Sequence, residues 1–597
     1  MQLFLTDSSD IYKAEGAEFK CLLNGPLLVN STWISDEGIA TFNNTLNKAE
    51  FTARESMLSD LYEMQAVLSG QLFKVNRYLG TRSEKDIVFF LLHLHFRMTI
   101  TQSHLFLQLI KQLLSKYPET NAIHVNLPEE YAYLSTLVQR PGLSVEFSFT
   151  FRKIKAPSKL RLLGVLKHMY YTFEYLIPKP RQRLKKPGAT QTHFLFLLSD
   201  IKHHHHILKT FFKLCEKQKD IFITVVHVSS GIEQKHSASL KSNESVNFQV
   251  LNLQEFRSTK TIVSHSDFYN ALNKLNPVFQ FFKRGNLLYH AELKYAWIGK
   301  AFELLKPDVC LHIGVFNDGR YMSDVANFYD VPSVNLEYGI SFDDPLLEAN
   351  IEFTARAVPG QDAVDVWKKR KDPTPSHYII GAPNLDEYLQ LSASFNKASF
   401  FARHQLDPLK KTIFFAGTYS SALNYLYDIE KKEILRNLCK LCHENDWNLI
   451  VKKHPLEFDT IVDDVIAENN YLRQRAFRHD QVGLSEAVFY SDFITNQISS
   501  IVLEALYFNK PFCYLTTSLE ETRADQMTMV KEGLAFKFHD MASFAEYASD
   551  IFNTGASHEI YAKINRLKTL YLYKTDGNAS ERLFELMLQL ANKRTSC

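Results

Sequence analysis

Two stretches decide how this chain reads: NLIVKKHP (448–455) and SDFITNQISSIVLEAL (491–506). Each begins as a short, nearly unbroken apolar run and ends in polar residues. That is the pattern of a parallel strand buried on both faces, with a ligand-facing loop at its carboxyl end. In the first, Lys452, Lys453 and His454 put cationic and hydrogen-bonding groups just past the strand, and Pro455 fixes the turn that aims the histidine. In the second, Ser499 and Ser500 precede the helix IVLEAL, so two hydroxyls and free backbone N–H groups are expected at a helix N-terminus, an anion site. Glu504 follows Ser500 at i+4 on the same helix face, where a carboxylate accepts from ribose hydroxyls. The two strand ends are expected to be neighbours that hold one phosphate between them. A lone His-Pro pair or a Ser-Ser N-cap is common; the order and context of the two carry the specificity.

Working outward, TIFFAGTYSS (412–421) reads as a strand and loop, with Gly417 and Thr418 as possible cleft residues, and EKKEILRNLCKLCHEN (430–445) as a helix. Upstream, THFLFLLSD (192–200), HHHHILKTFFKLCEKQ (203–218) and DIFITVVHVSS (220–230) read as strand, helix and strand. KPDVCLHIGVFNDG (306–319) and VPSVNLEYG (331–339) continue the alternation. The expected fold class is therefore α/β, with two facing doubly wound, Rossmann-like domains of the GT-B kind. The expected divisions are an additional N-terminal α/β region at 1–150, a linker at 151–190, an acceptor-side domain at 191–345 and a nucleotide-donor domain at 346–597. In the N-terminal region, DIVFFLLHLHFR (86–97), TQSHLFLQLIKQLLSKY (101–117) and NAIHVNL (121–127) suggest strand, helix and strand. No solenoid repeat or low-complexity tract interrupts the chain.

The bulk properties agree with a multidomain globular protein. The 597 residues exceed one ordinary core, and 45% apolar with 22% charged residues is a globular balance. A formal net charge of +2 offers no field for nucleic acid as the main partner. Seven cysteines without paired spacing suit a reducing compartment, and neither a secretory signal nor an apolar run of spanning length is evident. The expected location is cytoplasmic. Residues 152–186 are strongly basic, with Tyr170, Tyr171, Phe173 and Tyr175 interleaved. Such a segment suits peripheral contact with an anionic membrane face, and equally a solvated interdomain linker ended by Pro178, Pro180 and Pro187.

Several metal-like patterns fail on geometry. His203 to His206 are consecutive on a helix and point in four directions, so they cannot close one tetrahedral site; His204 is kept as a possible cleft residue at the helix start. Cys439-Lys-Leu-Cys442-His443 lies inside a helix, where packing thiols are expected. Asp343-Asp344 runs into Pro345 in a loop. No metal or other cofactor is required by this pattern, and Lys453, His454 and the helix terminus are expected to neutralise the phosphate.

In order, VKKHP, SDFITNQISSIVLEALYFNKP and DGNASER (576–582) resemble the His-Pro motif, the Ser-Ser-x-x-x-Glu motif and the C-terminal segment of bacterial surface-polysaccharide transferases. That group comprises the CMP-sialic acid polysialyltransferases, capsular Kdo transferases and CDP-glycerol glycerophosphotransferases. IIGAPNLDEY (379–388) resembles the strand-to-helix junction that these share with UDP-GlcNAc 2-epimerases. The resemblance spans roughly 190–597. It implies that His454, Ser499 and Ser500 contact the donor phosphate and Glu504 the ribose. One departure stands out: where relatives often carry histidine before the glycine of VNLEYG, this chain has Tyr338.

Transfer also needs a base for the acceptor hydroxyl, or a nucleophile in a double displacement, from the facing domain. Asp318, Glu337 and Asp200 are the candidates, each at a strand end. Asp318 is favoured, with Arg320 as its charge partner. The expected function is transfer of a sugar from a nucleotide-activated donor, CMP-linked, to an oligosaccharide or lipid-linked glycan of the cell surface. Three other readings stand beside it: a CDP-polyol phosphotransferase, an isomerase of the UDP-GlcNAc 2-epimerase kind, and a non-catalytic assembly scaffold.

Overall fold

The computed structural model describes residues 2–6, 19–24, 30–35, 38–42, 121–128, 146–152, 184–198, 201–227, 247–256, 297–314, 317–340, 352–369, 374–417, 425–453, 460–468, 483–497, 499–516, 524–525 and 527–595. Most of the basic segment 152–186 lies outside them.

Three sheets follow one another along the chain. The first contains β1 (Gln2–Thr6), β2 (Phe19–Asn24), β3 (Asn30–Ser35), β4 (Gly38–Phe42), β5 (Ala122–Pro128) and β6 (Glu146–Arg152), in the order β4-β3-β2-β1-β5-β6. β1 pairs in parallel with β2 and β5, whereas β2, β3 and β4 are joined antiparallel. The N-terminal region thus carries a mixed sheet, and NAIHVNL supplies its strand β5.

The second sheet holds β7 (Thr192–Leu198), β8 (Ile221–His227), β9 (Phe248–Asn252), β10 (Val309–Ile313), β11 (Ser333–Leu336), β12 (Ala355–Val358) and β13 (His377–Ile379). Its order is β13-β12-β11-β10-β7-β8-β9, and every pairing is parallel. Its helices include α1 (Ile201–Glu216), α2 (Asn317–Phe328) and α3 (Gln361–Lys369). Apolar clusters cover both faces. Phe194, Phe196 and Leu198 meet α1 on one face, while Leu195, Leu197 and Cys310 meet Met322 and Phe302 on the other. This two-sided burial is why the strands read as continuous apolar runs.

The third sheet, wholly parallel, has β14 (Thr412–Ala416), β15 (Asn448–Lys452), β16 (Phe493–Asn496), β17 (Phe512–Leu515) and β18 (Phe536–Phe538), ordered β15-β14-β16-β17-β18. Around it lie α4 (Asp386–Ser394), α5 (Tyr425–Glu444), α6 (Leu484–Tyr490), α7 (Val502–Tyr507) and α8 (His558–Leu572), and α9 (Ala579–Thr595) follows them in the chain.

The boundary expected at 345 is corrected by this topology. β12 and β13 belong to the second sheet, so the first Rossmann-like unit continues to about residue 380. The last helix also crosses back. Leu583, Leu586, Met587 and Leu590 of α9 are buried in the cluster of the second sheet, and Arg594 donates to the carbonyls of Pro307 (2.5 Å) and Tyr329 (3.3 Å). The carboxyl edges of the two parallel sheets are brought together. Ile340, beyond the end of β11, packs into the cluster that contains Ala382, Ile501 and Val502 of the third-sheet unit.

Candidate functional site

In the third sheet the strand order reverses at β14, since the chain passes from β14 to β15 on one side and then to β16 on the other. Open α/β sheets take ligands outside the carboxyl ends at such a reversal. Three tips meet there. Ala416, the last residue of β14, pairs with Lys452 of β15 and with Asn496 of β16. The Gly417 N–H donates to the Lys452 carbonyl at 2.9 Å, which ties two of the tips. Lys452 and Lys453 are half-buried beside them. His454, Pro455 and Thr418 lie outside the described residues. The expected adjacency of the His-Pro and Ser-Ser strand ends is corrected: β14 stands between them, so they are two strand spacings apart, roughly 10 Å.

At the tip of β16 the residue that organises the loop is Asn496. Its side chain is fully buried, and its Oδ1 accepts the Ser499 N–H at 3.1 Å. Asn496 Nδ2 is a buried donor without a hydrogen-bond partner among the described residues. Ser499 Oγ accepts from the Ile501 N–H at 3.4 Å, and the Ser500 carbonyl from the Leu503 N–H at 2.9 Å. The serine pair therefore forms the turn before the helix. The helix itself starts at Val502, one residue after the expected Ile501, and is six residues long. Asparagine's habit of bonding backbone two or three residues on was the available signal for this turn. Ser499 is half-buried and Ser500 exposed.

Glu504 is buried one turn along, with its side chain on the row Ser500–Glu504–Phe508. Phe508 stacks on Tyr388 at 5.6 Å. Burial pushes the Glu504 carboxyl up to about 7, only partly offset by its own backbone N–H. Lys431, which no sequence motif marks, is fully buried in α5 on the same row as Leu435, Leu438 and Cys442, facing the sheet. Cys439 and Cys442 are packing residues on that helix, and burial raises the Cys439 thiol to about 12.

The second sheet reverses between β7 and β10. The loop after β7 carries Asp200, and the loop after β10 leads into α2, which carries Asp318 and Arg320. Asp200, together with the side chains of Asp318, Arg320 and His204, lies outside the described residues; His204 falls within α1. Glu337 stands one strand further along, after β11. It is buried, and its Oε2 accepts the Trp367 indole N–H at 2.5 Å. Its Oε2 is thus held in an internal hydrogen bond, and the reversal point itself lies between β7 and β10, the strands that precede Asp200 and Asp318 in sequence. Tyr338 follows it, packed against the cluster of its own sheet, and Ile340 two positions on packs into that of the other unit.

The two remaining motif segments come together as a clasp where the chain crosses between units. Asp386, from GAPNLDEY, accepts from the N–H groups of Ala579 (3.0 Å) and Ser580 (2.6 Å) at the start of α9. Arg582, from DGNASER, donates through Nε to the Ile380 carbonyl at 2.7 Å and pairs with Asp576 through both Nη atoms, at 3.0 and 3.1 Å. Gly381 adopts φ +88°, a left-handed conformation suited to glycine, with the Arg582 guanidinium close against it. Replacing Asp386 with alanine strips two buried N–H groups of their acceptor. The expected cost is about 2 kcal/mol of unfolding free energy, measured as a lowered denaturant midpoint. A midpoint unchanged from the native protein would remove the clasp from the structural account.

The fold defines an α/β protein built on two doubly wound parallel sheets whose carboxyl edges meet, with the ends of β14, β15 and β16 side by side at the reversal of the later one. Residues 365–589 match the family model of CDP-Glycerol:Poly(glycerophosphate) glycerophosphotransferase, which marks that portion as a transferase-type domain. Among solved structures, the chain is similar to the UDP-GlcNAc 2-epimerase from Neisseria meningitidis bound to UDP-GlcNAc, with TM-score 0.45, 14% identity, 67% of this chain and 100% of that one covered. It is similar also to the S. aureus MnaA–UDP co-structure, with TM-score 0.43, 14% identity, 66% and 95% covered. A UGT transferase from Siraitia grosvenorii in complex with UDP gives TM-score 0.41, 11% identity, 67% and 100% covered. No curated protein matches the chain in sequence. No described helix is long and apolar enough to cross a membrane.

Proposed function

We propose that this protein transfers a phosphoalcohol from a CDP-linked donor, of the CDP-glycerol kind, to a hydroxyl of a surface-polymer acceptor. The match of residues 365–589 to the glycerophosphotransferase model carries this reading, and it falls on the unit whose sheet reversal gathers Gly417, Lys453, Asn496 and Ser499. The acceptor oxygen attacks the phosphorus that bears the alcohol, its bond to the CMP oxygen breaks, and CMP departs carrying the added charge. Lys453 and His454 neutralise that charge together with Ser499 and Ser500, and Glu504 accepts from the ribose hydroxyls. Asp318, with Arg320 beside it in sequence, takes the acceptor proton from the facing sheet; Asp200 is the alternative base. The acceptor glycan or polyol phosphate is held at the membrane face.

A second reading is supported by the Ser499-Ser500-x-x-x-Glu504 spacing: glycosyl transfer from a CMP-linked sugar such as sialic acid or Kdo. The phosphate site serves both, because CMP leaves in each. The bond broken differs, being phosphorus–oxygen in the first and sugar carbon–oxygen in the second. A thermal-shift panel of CMP, CDP, CDP-glycerol, CMP-sugars and UDP-sugars tests the site, with cytidine nucleotides expected to raise the melting temperature most. Labelled donors then assign the bond: glycerophosphate appearing in polymer supports the first reading and a labelled sugar the second. A protein stabilised by none of these nucleotides refutes both.

A further inference from the structure

We propose that Arg356 is a positioning residue for the acceptor side, acting through Asn335 on the tip of β10 and through Trp367 on Glu337. The kinetic part of this inference rests on the transferase reading above; the structural part does not.

Arg356 sits in the middle of β12 and is completely buried. Burying a guanidinium is costly, and an apolar residue of similar size would fill the same space more cheaply. What the cation contributes is geometry. Its Nη1 donates to Asn335 Oδ1 at 2.6 Å, and its guanidinium carbon lies 3.7 Å from the Trp367 ring centroid and 5.4 Å from that of Phe353. A planar fork stacked on an indole has little freedom to turn.

The Asn335 amide has an accepting and a donating side, and facing a cation fixes which is which. With Oδ1 turned to Arg356, Nδ2 donates to the Gly314 carbonyl at 2.5 Å. Gly314 ends the tip of β10 at φ +73°, and its own N–H donates to the Leu336 carbonyl at 2.9 Å. The tip is therefore pinned from both sides by β11. Only residues 315 and 316 separate it from α2, the helix that carries Asp318. That helix is seated directly on β10, since a Cβ at Gly319 would lie 2.7 Å from His312 Cδ2.

The same indole serves a second tip. Trp367 donates its N–H to Glu337 Oε2, beyond the end of β11. One buried cation and one indole thus set the positions of two neighbouring strand ends, the tip of β10 that leads into α2 and the tip of β11 that carries Glu337. Neither Arg356 nor Asn335 needs to touch a substrate for this.

The test uses Asn335→Asp and Arg356→Lys in the full chain. Asn335→Asp keeps an acceptor for Arg356 but presents an oxygen to the Gly314 carbonyl, which releases the tip while leaving the buried cation paired. Hydrogen exchange of the segment 310–322 is expected to quicken at least tenfold in both variants, with the donor-side segment 490–510 unchanged. With CDP-glycerol as donor, kcat is expected to fall at least tenfold while donor KM stays within twofold. Exchange of 310–322 at the native rate in Asn335→Asp overturns the proposal. So does equal acceleration in both segments, which would mean general destabilisation. If the native protein transfers nothing from any donor, the transferase reading fails, and the exchange result alone decides the role of Arg356.

Discussion

His454→Ala is expected to reduce transfer by a factor of about 10² to 10³ while leaving the melting temperature close to native. The reason lies in where charge grows. In the proposed transfer, negative charge accumulates on the phosphate of the departing nucleotide, and a preorganised hydrogen-bond donor aimed there is worth far more at the transition state than in the ground state. The β15 tip supplies the place: Lys452 pairs with Ala416 at the end of β14, and His454 follows it two positions on in sequence. The loss should therefore fall on kcat, with modest change in KM, whereas Lys453→Ala should act chiefly on donor KM through ground-state charge. Ser500→Ala should also lower transfer, and its exposed position at the facing tip leaves folding unaffected. Rates in His454→Ala within threefold of native would remove this loop from the donor site.

The core strands were legible because burial on both faces leaves a plain signature. THFLFLL, IFITVVH, VCLHI, TIFFA and NLIVK are found as strands in the places the apolar runs mark. The domain boundary was not legible, and the physical reason is local. β12 and β13 are ARAV and HYI, only four and three residues long, and they contain Arg356 and His377. A strand with a buried cation at its centre looks like a loop until its partners are known, and those partners, Asn335 and Trp367, are 21 and 11 positions away in sequence, closed only by the fold. The return of α9 to the second sheet is invisible for the same reason. An amphipathic helix shows that it has an apolar face but not which sheet receives it.

At the tip of β16 the sequence marks the end of the strand but not the turn that follows it. Two serines before an apolar helix favour an N-cap reading, yet the fully buried Asn496 captures the Ser499 N–H and delays the helix to Val502. Asp386 and Arg582, whose motifs suggested a shared ancestry of function, turn out to hold the crossing between the units. Residue type announced that these positions were constrained; only contacts distinguish a clasp from a site.

Glu504→Gln is expected to stabilise the unliganded protein at pH 8 while weakening cytidine nucleotide binding more than tenfold. Its carboxyl is held at about 7 in the folded protein against an ordinary 4.5, because burial removes the water that would solvate the charge. A raised acid contributes stability that is fully present below its unfolded pKa and is lost as pH rises through the folded one. The window here runs from about 4.5 to about 7. A shift of this size corresponds to roughly 3 kcal/mol between pH 4.5 and pH 8. Asp362, raised by burial to about 6, acts with the same sign and remains in the variant. Native protein should therefore lose stability between about pH 4.5 and 7, and Glu504→Gln should flatten the upper part of that slope. A glutamine amide still fits the space but accepts a ribose hydroxyl without charge, forfeiting the stronger bond that an ionised acceptor makes. Binding of a nucleotide diol to the ionised form should in turn pull the carboxyl down, so that nucleotide binding releases protons near pH 7. Calorimetry in buffers of different ionisation enthalpy reads that release directly. Equal pH slopes in the two proteins, together with unchanged nucleotide affinity, would make Glu504 an ordinary packing residue and leave the ribose to another group.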